Sequence, residues 1–297
     1  MKLLHCCKLP LLFSVTFLLS TGCQSKKEQS ENRQIMVTIE PLRYFVNRIA
    51  GEAYTVETLV PEGTNPETYD PTPGQIVRLS ESAIYFKAGR LGTEEMWKKS
   101  IAKTMKNGKI VDTSEGFEYE VADTHQFGHT DGSGHYHHSA GDPHTWSSVE
   151  GARTIAANMK KAFISVYPAD SALFEKNYRS LAATIDSVET IIAELFLPLK
   201  QHSFMTYHPS LTYFAREFEL EQLPIESEGK EPSPRQLKAL ISEAREEGVR
   251  IIFIQREFDR RQAEAIAIEA GCRVVEIAPS AYDWPANMVK IAKYIAE

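Results

Sequence analysis

The chain has little cysteine, no long apolar run and no surplus of positive charge, and each shortage removes a class of function. Only 4 of its 297 residues are Cys. Cys6 and Cys7 sit at the start, Cys23 closes the first apolar segment and Cys272 stands far from all three. No disulfide framework follows from that spacing, so stability has to come from buried cores. The longest apolar run, Leu9 to Leu19, is about half of the roughly 20 residues that a membrane-spanning helix requires. A polytopic membrane fold is excluded. Lys and Arg number 33 against 40 Asp and Glu, for a net charge of -7. Binding nucleic acid without regard to sequence needs a basic face that displaces counterions from phosphate, and no Lys/Arg run supplies one. Missing too are H-E-x-x-H, G-x-S-x-G, Walker A and G-x-G-x-x-G sequences, the local signatures of zinc hydrolases, serine acyl-transfer enzymes and nucleotide binders. What remains, 42% hydrophobic and 25% charged, describes a globular chain long enough for two domains.

Lys2 and Lys8 precede the run from Leu9 to Leu19, which reads as the core of a signal peptide. It closes in Leu19, Ser20, Thr21, Gly22 and Cys23, followed by the polar stretch QSKKEQSENRQ. Small residues before a cysteine in that setting resemble a bacterial lipoprotein processing site. The resemblance implies that residues 1–22 are a removed signal, that Cys23 carries the lipid, and that residues 23–33 form a flexible tether. The expectation is a periplasmic or cell-surface protein, lipid-anchored to a bacterial membrane.

From IMVTI at 35–39 onward, short β-branched runs alternate with helical stretches. Strands are expected near 35–39, 54–60, 83–88 and 109–112, with helices at 41–51, 73–81 and 94–106, two of them opened by Pro41 and Pro73. Residues 113–143 have no hydrophobic periodicity, and a loop of that length inside a domain is usually functional. Two helices follow, about Ser147–Val166 and Asp170–Leu197, the second with Leu173, Leu181, Ile185, Val188, Ile192 and Leu195 spaced for one apolar face. At 1.5 Å per residue the second runs roughly 40 Å, enough to hinge or brace two domains. After Pro198 strands at 203–207, 220–226, 251–255 and 273–277 alternate with helices at 209–218, 234–247, 259–270 and 284–296. Such alternation implies parallel sheets covered on both faces. The fold class is α/β: two doubly wound parallel-sheet lobes, an N-terminal one at 34–168 with a loop at 123–143, a linking helix at 169–198 and a C-terminal one at 199–297. A ligand belongs in the cleft, at the carboxyl ends of the strands.

Histidine placement points to that ligand. Six of the nine histidines, His125, His129, His135, His137, His138 and His144, fall between 125 and 144, where even scatter would place fewer than one. Their surroundings, DTHQFGHTDGSGHYHHSAGDPH, hold few apolar groups to bury. Flexible His-rich tracts bind metal, and imidazole suits zinc, copper, nickel and cobalt. Ordering a flexible loop costs about 1 to 2 kcal/mol per residue, so a tight site belongs elsewhere. His144, in DPHTW just before a helix, and His208, in TYHPS just after a strand, occupy the positions where cleft ligands are expected. His202 precedes its strand and points away.

The stretches NPETYDPTPGQIVRL, DPHTW, YHPSLTYFAREFEL, EGKEPSPRQLKALI and IFIQREF, in that order, resemble the periplasmic solute-binding proteins of ATP-driven zinc and manganese importers, with the zinc-type, ZnuA-like members most similar. The resemblance implies a two-lobed α/β fold braced by a long helix, a monomer, zinc as transported cargo, and permease and ATPase subunits as partners. It also implies one metal ligand from each of four loops. The second falls on His144 and the third on His208. The first position, a histidine in the family pattern, is Glu67 here, which can bind zinc through oxygen. The fourth, an acid in the family pattern, is Ala278. Water or one of Glu257, Glu276 and Asp283 would fill that place, with water favoured. Asp142 is expected to shape the approach to His144, and the acids of 226–231 to be a solvated face.

Two imidazoles and one carboxylate suit zinc, whereas manganese or iron would favour further carboxylates. Glu67 and His144 belong to the first lobe and His208 to the second, so one ion would cross-link the lobes and favour a closed state. Since imidazole must be neutral to coordinate, affinity should fall as pH drops through about 6.5. The rival readings are a zinc-dependent hydrolase, which would use the same ligand set around a water, and a surface adhesin.

Overall fold

The computed structural model describes residues 32–119, 141–226 and 232–297. Its first four strands are β1 (Gln34–Val37), β2 (Thr55–Thr58), β3 (Ile84–Lys87) and β4 (Lys109–Asp112), separated by helices α1 (Glu40–Ala50), α2 (Pro73–Glu81) and α3 (Gly92–Thr104). They form a sheet in the order β2-β1-β3-β4, parallel throughout. Helices α4 (Val149–Val166) and α5 (Ser171–Phe196) follow. A second sheet then repeats the topology: β5 (Ser203–Thr206), β6 (Glu221–Pro224), β7 (Ile251–Gln255) and β8 (Arg273–Ile277) lie in the order β6-β5-β7-β8, again all parallel. Its helices are α6 (Thr212–Glu217), α7 (Pro234–Glu246), α8 (Arg260–Ala270) and α9 (Trp284–Ala296).

Local chemistry accounts for the element boundaries. Thr72 and Ser233 each open a helix with a reciprocal capping box to the Gln three residues on, followed by Pro at the first helical position. Asp259 and Asp283 cap α8 and α9 through their carboxylates, and Gly271 ends α8 at φ 79°, in the left-handed region. All five residues of β7, IIFIQ, are buried, as a central strand covered on both faces requires.

The long helix departs in one detail from its sequence pattern. Leu173 is exposed and Phe174 takes the buried position, joined by Leu181, Ile185, Val188 and Ile192. Helix α5 packs on α4, α1 and α9. The largest hydrophobic cluster runs from Ile35 and Phe86 on the first sheet, through α4, α5 and α9, to Phe204 and Phe253 on the second. Smaller clusters cover the outer faces, one under α7 and α8 and one under α2 and α3. A shared core makes α5 a brace.

In both sheets the strand order reverses beside the first strand, between β1 and β3 and between β5 and β7. Each reversal leaves a crevice at the carboxyl ends of the strands, where the flanking loops diverge.

Candidate metal centre

A small cavity of about 10 Å³ lies among Glu67, His144, His208, Ser210, Gln255 and Glu257, room for a single water-sized occupant. Glu67 comes from the loop between β2 and α2. One of its oxygens accepts the Gly92 backbone N–H at 2.7 Å, in the first turn of α3. Its other oxygen, Oε1, is buried without a hydrogen-bond partner and lies 4.0 Å from His144 Nε2. Gly92 permits that arrangement, because a Cβ there would stand 2.2 Å from the Glu67 carbonyl oxygen.

His144 immediately precedes a 3-10 turn, Thr145–Ser147, which leads into α4. Its Nδ1 lies 2.7 Å from Asp142 Oδ1, and its backbone N–H donates to the same oxygen. Asp142 is itself held by Tyr213 of α6, whose hydroxyl donates to the Asp142 carbonyl at 2.6 Å. The second-sheet helix α6 also caps α4: the Glu217 carboxylate accepts the backbone N–H groups of Val149 and Glu150, a favourable place for negative charge.

His208 follows β5. The sequence pattern predicts a helix from residue 209, but α6 starts at Thr212. The Ser210 backbone N–H bonds the His208 carbonyl instead, and the Gln255 side-chain amide donates to both the His208 carbonyl and Ser210 Oγ. That turn presents the ring to the cavity. Phe258 stacks on it at a centroid distance of 5.3 Å. His208 Nδ1 faces Glu226 Oε1 at 3.3 Å, and its Nε2 faces His144 Nε2 at 3.3 Å.

With each Nδ1 turned to a carboxylate, each Nε2 is left as the lone-pair donor. Four acids, Glu67, Asp142, Glu226 and Glu257, thus surround two imidazoles, a field that favours a cation. Burial opposes charge on His144, but the carboxylates of Asp142, Glu67 and Glu257 outweigh it and raise its pKa above the usual 6.5. Asp142 shows the reciprocal effect: burial pushes it up, the charge and hydrogen bond of His144 pull it further down, and the net shift is downward. Glu257 is raised by partial burial despite the nearby histidines. Among the described residues no group of three or more His, Cys, Asp or Glu side chains is placed to hold a metal ion as the side chains stand.

Glu276 pairs with Arg256 at 3.4 Å and Asp283 caps α9, and neither lines the cavity. His202 is exposed before β5. Cys23 and the loop histidines His125, His129, His135, His137 and His138 lie outside the described residues. The sequence pattern missed Glu226, which reads as part of a solvated acidic run but is 7% exposed and faces His208. Its place two residues beyond β6, at a strand's carboxyl end, is the signal that marks it.

Two parallel-sheet lobes, a bracing helix between them and a polar cavity at the strand ends define a solute-binding protein. A model of the family described as "Zinc-uptake complex component A periplasmic" (ZnuA) matches residues 35–297, and the chain belongs to that family. A putative metal-binding protein of Treponema pallidum is 26% identical over 281 residues, covering 92% of this chain and 88% of its own. The zinc-binding lipoprotein AdcA of Streptococcus pneumoniae is 24% identical over 274 residues, covering 91% of this chain, which spans only 54% of AdcA. A crystal structure of ZnuA superposes with a TM-score of 0.81 at 32% identity, covering 89% of this chain and 98% of that one. Among the described residues no helix is long and apolar enough to cross a membrane.

Proposed function

We propose that this protein is the zinc-capturing component of an ABC-type importer, binding the ion outside the cytoplasmic membrane through Glu67, His144 and His208 and delivering it to a permease driven by an ATPase subunit. One observation carries the reading. The two Nε2 atoms stand 3.3 Å apart, and two nitrogens bound to one tetrahedral zinc at 2.0–2.1 Å are separated by about 3.3 Å, the edge of that tetrahedron. Glu67 Oε1, buried without a partner and 4.0 Å from His144 Nε2, is the third ligand once it moves in toward the two nitrogens. Family membership and the zinc named for AdcA and ZnuA support the same cargo. The family is a transport binding component, so turnover of a substrate is not its role.

Glu67 and His144 are carried by loops of the first sheet and His208 by the second, so a bound ion favours the arrangement in which the lobes approach. A permease can read that as shape. Lipidation at Cys23 would hold the protein at the membrane, and the His-rich loop would gather zinc weakly before the cleft takes it.

Native mass spectrometry of the purified protein tests the assignment, because it reports ion identity and stoichiometry together. One tightly held zinc is expected, absent after Glu67→Ala or His208→Ala and retained when 123–141 is deleted. Retention of tight zinc by His208→Ala would overturn the site.

A further inference from the structure

Three protein ligands leave one corner of a tetrahedral ion open. Ala278, where the resemblance places an acid, cannot fill it, and its carbonyl is occupied by the Asn287 amide and the Ala281 N–H. We propose that Glu257, in the turn directly after β7, supplies the fourth ligand and makes the site a two-histidine, two-carboxylate one. This rests on the cleft assignment above.

The other local acids are already committed. Asp142 and Glu226 are engaged behind the two rings, Glu276 is paired with Arg256, and Asp283 caps α9. Among the described residues Glu257 is the one carboxylate besides Glu67 that lines the cavity. Glu257 stands two residues past Gln255, whose buried amide fixes the His208 turn, and one residue before Phe258, which stacks on the His208 ring. The backbone on both sides of Glu257 is therefore anchored to the histidine it would work beside. Glu257 sits at the exposed rim, its carboxylate partly buried and accepting its own backbone N–H, so turning onto an ion exchanges that one local bond for a metal bond.

The consequence is one of selectivity. A second carboxylate neutralises a divalent cation and hardens the ligand set, so the site accepts manganese as well as zinc. Glu257 is then a specificity determinant, and its removal should sharpen the preference for zinc.

The test is a competition titration of the purified, metal-depleted full chain with Zn²⁺ and with Mn²⁺ against a chelating fluorophore, for wild type, Glu257→Gln and Glu257→Ala. The visible spectrum of the Co²⁺-loaded proteins is read alongside. Both variants should keep one site per chain, lose at least about tenfold in zinc affinity, lose more for manganese, and shift the cobalt bands as water replaces carboxylate. Zinc and manganese affinities within twofold of wild type, with an unchanged cobalt spectrum, overturn the proposal. His208→Ala separates the two claims. If it abolishes binding while the Glu257 variants do nothing, only the fourth ligand is wrong; if it also does nothing, the cleft assignment falls and Glu257 with it. Thermal melting of the metal-free variants should stay close to wild type, since the side chain's one hydrogen bond is to its own backbone N–H.

Discussion

The indole N–H of Trp284 donates to the carbonyl oxygen of Trp146 across a buried 2.6 Å hydrogen bond, joining the start of the last helix to the turn that carries His144. Both residues are almost wholly buried. Trp284 also packs on Phe45 of α1, and its neighbour Tyr282 accepts the Asn47 side-chain amide and packs on Tyr44. Helix α9 follows the second sheet in the chain yet packs chiefly on α5. Truncation to Trp284→Ala should cost about 3 to 5 kcal/mol, the range for removing a buried aromatic side chain. Urea unfolding of the metal-free protein measures it; a loss under 1 kcal/mol would mean that the ring does not brace the lobes.

Asp142 stands behind His144 rather than at the cavity. A carboxylate on Nδ1 selects the tautomer with a free Nε2 and holds the ring in place, and removing such a partner typically costs 10- to 100-fold in metal affinity. Asp142→Asn should therefore weaken zinc binding by about that factor while leaving one site per chain, since an amide can turn its oxygen to Nδ1 but carries no charge. Competition titration provides the measurement, and unchanged affinity would show that the pair is only structural.

Gly92 makes no contact with any proposed ion but sets the place of Glu67. A Cβ at this position would approach the Glu67 carbonyl oxygen to 2.2 Å and Oε2 to 2.9 Å, so the loop or the helix start must move. Gly92→Ala is expected to lower zinc affinity about tenfold, as loss of a supporting contact does, with little change for a variant that already lacks the Glu67 carboxylate. Additive losses in that double variant would contradict the coupling.

The pH dependence of stability should report Glu94. Its carboxyl is fully enclosed and pushed by burial from 4.5 up to about 7, against the opposing hydrogen bonds from Thr38, Gly89 and Ala88. Between those two values the folded chain holds a proton that the unfolded chain has lost. Stability from this group is present below about pH 4.5 and declines as pH rises to about 7, then levels off. The decline is on the order of 3 kcal/mol. Glu94→Gln should flatten that portion of the curve in chemical unfolding between pH 4.5 and 7, and a slope equal to wild type would rule Glu94 out as its source.

Much of the architecture is legible in the chain. Pro73, Pro234 and the capping residues beside them mark helix starts to the residue, and the five buried positions of IIFIQ announce a central parallel strand. Glu67, His144 and His208 could be singled out from strand-end position and family resemblance, and they line one cavity. The helix expected at 209 was less legible. Pro209 is an ordinary helix opener, but Gln255, 47 residues away from His208, takes hold of the turn first. Glu226 was hidden for a similar reason, since an acid in an acidic run reads as solvated until a ring 18 residues away is seen to face it.

Periodicity, caps and breakers act over a few residues, so the sequence by itself determined the alternation of strands and helices, the parallel sheets and the histidines suited to a metal. Tertiary structure alone decided which acid stands behind which imidazole, where α9 packs, and which carboxylate joins Glu67 in lining the cavity. Those outcomes depend on side chains brought together from opposite sheets, such as His144 and His208 at a separation of 64 residues. No local pattern encodes such pairings, because they are settled by where a shared core places the ends of the strands.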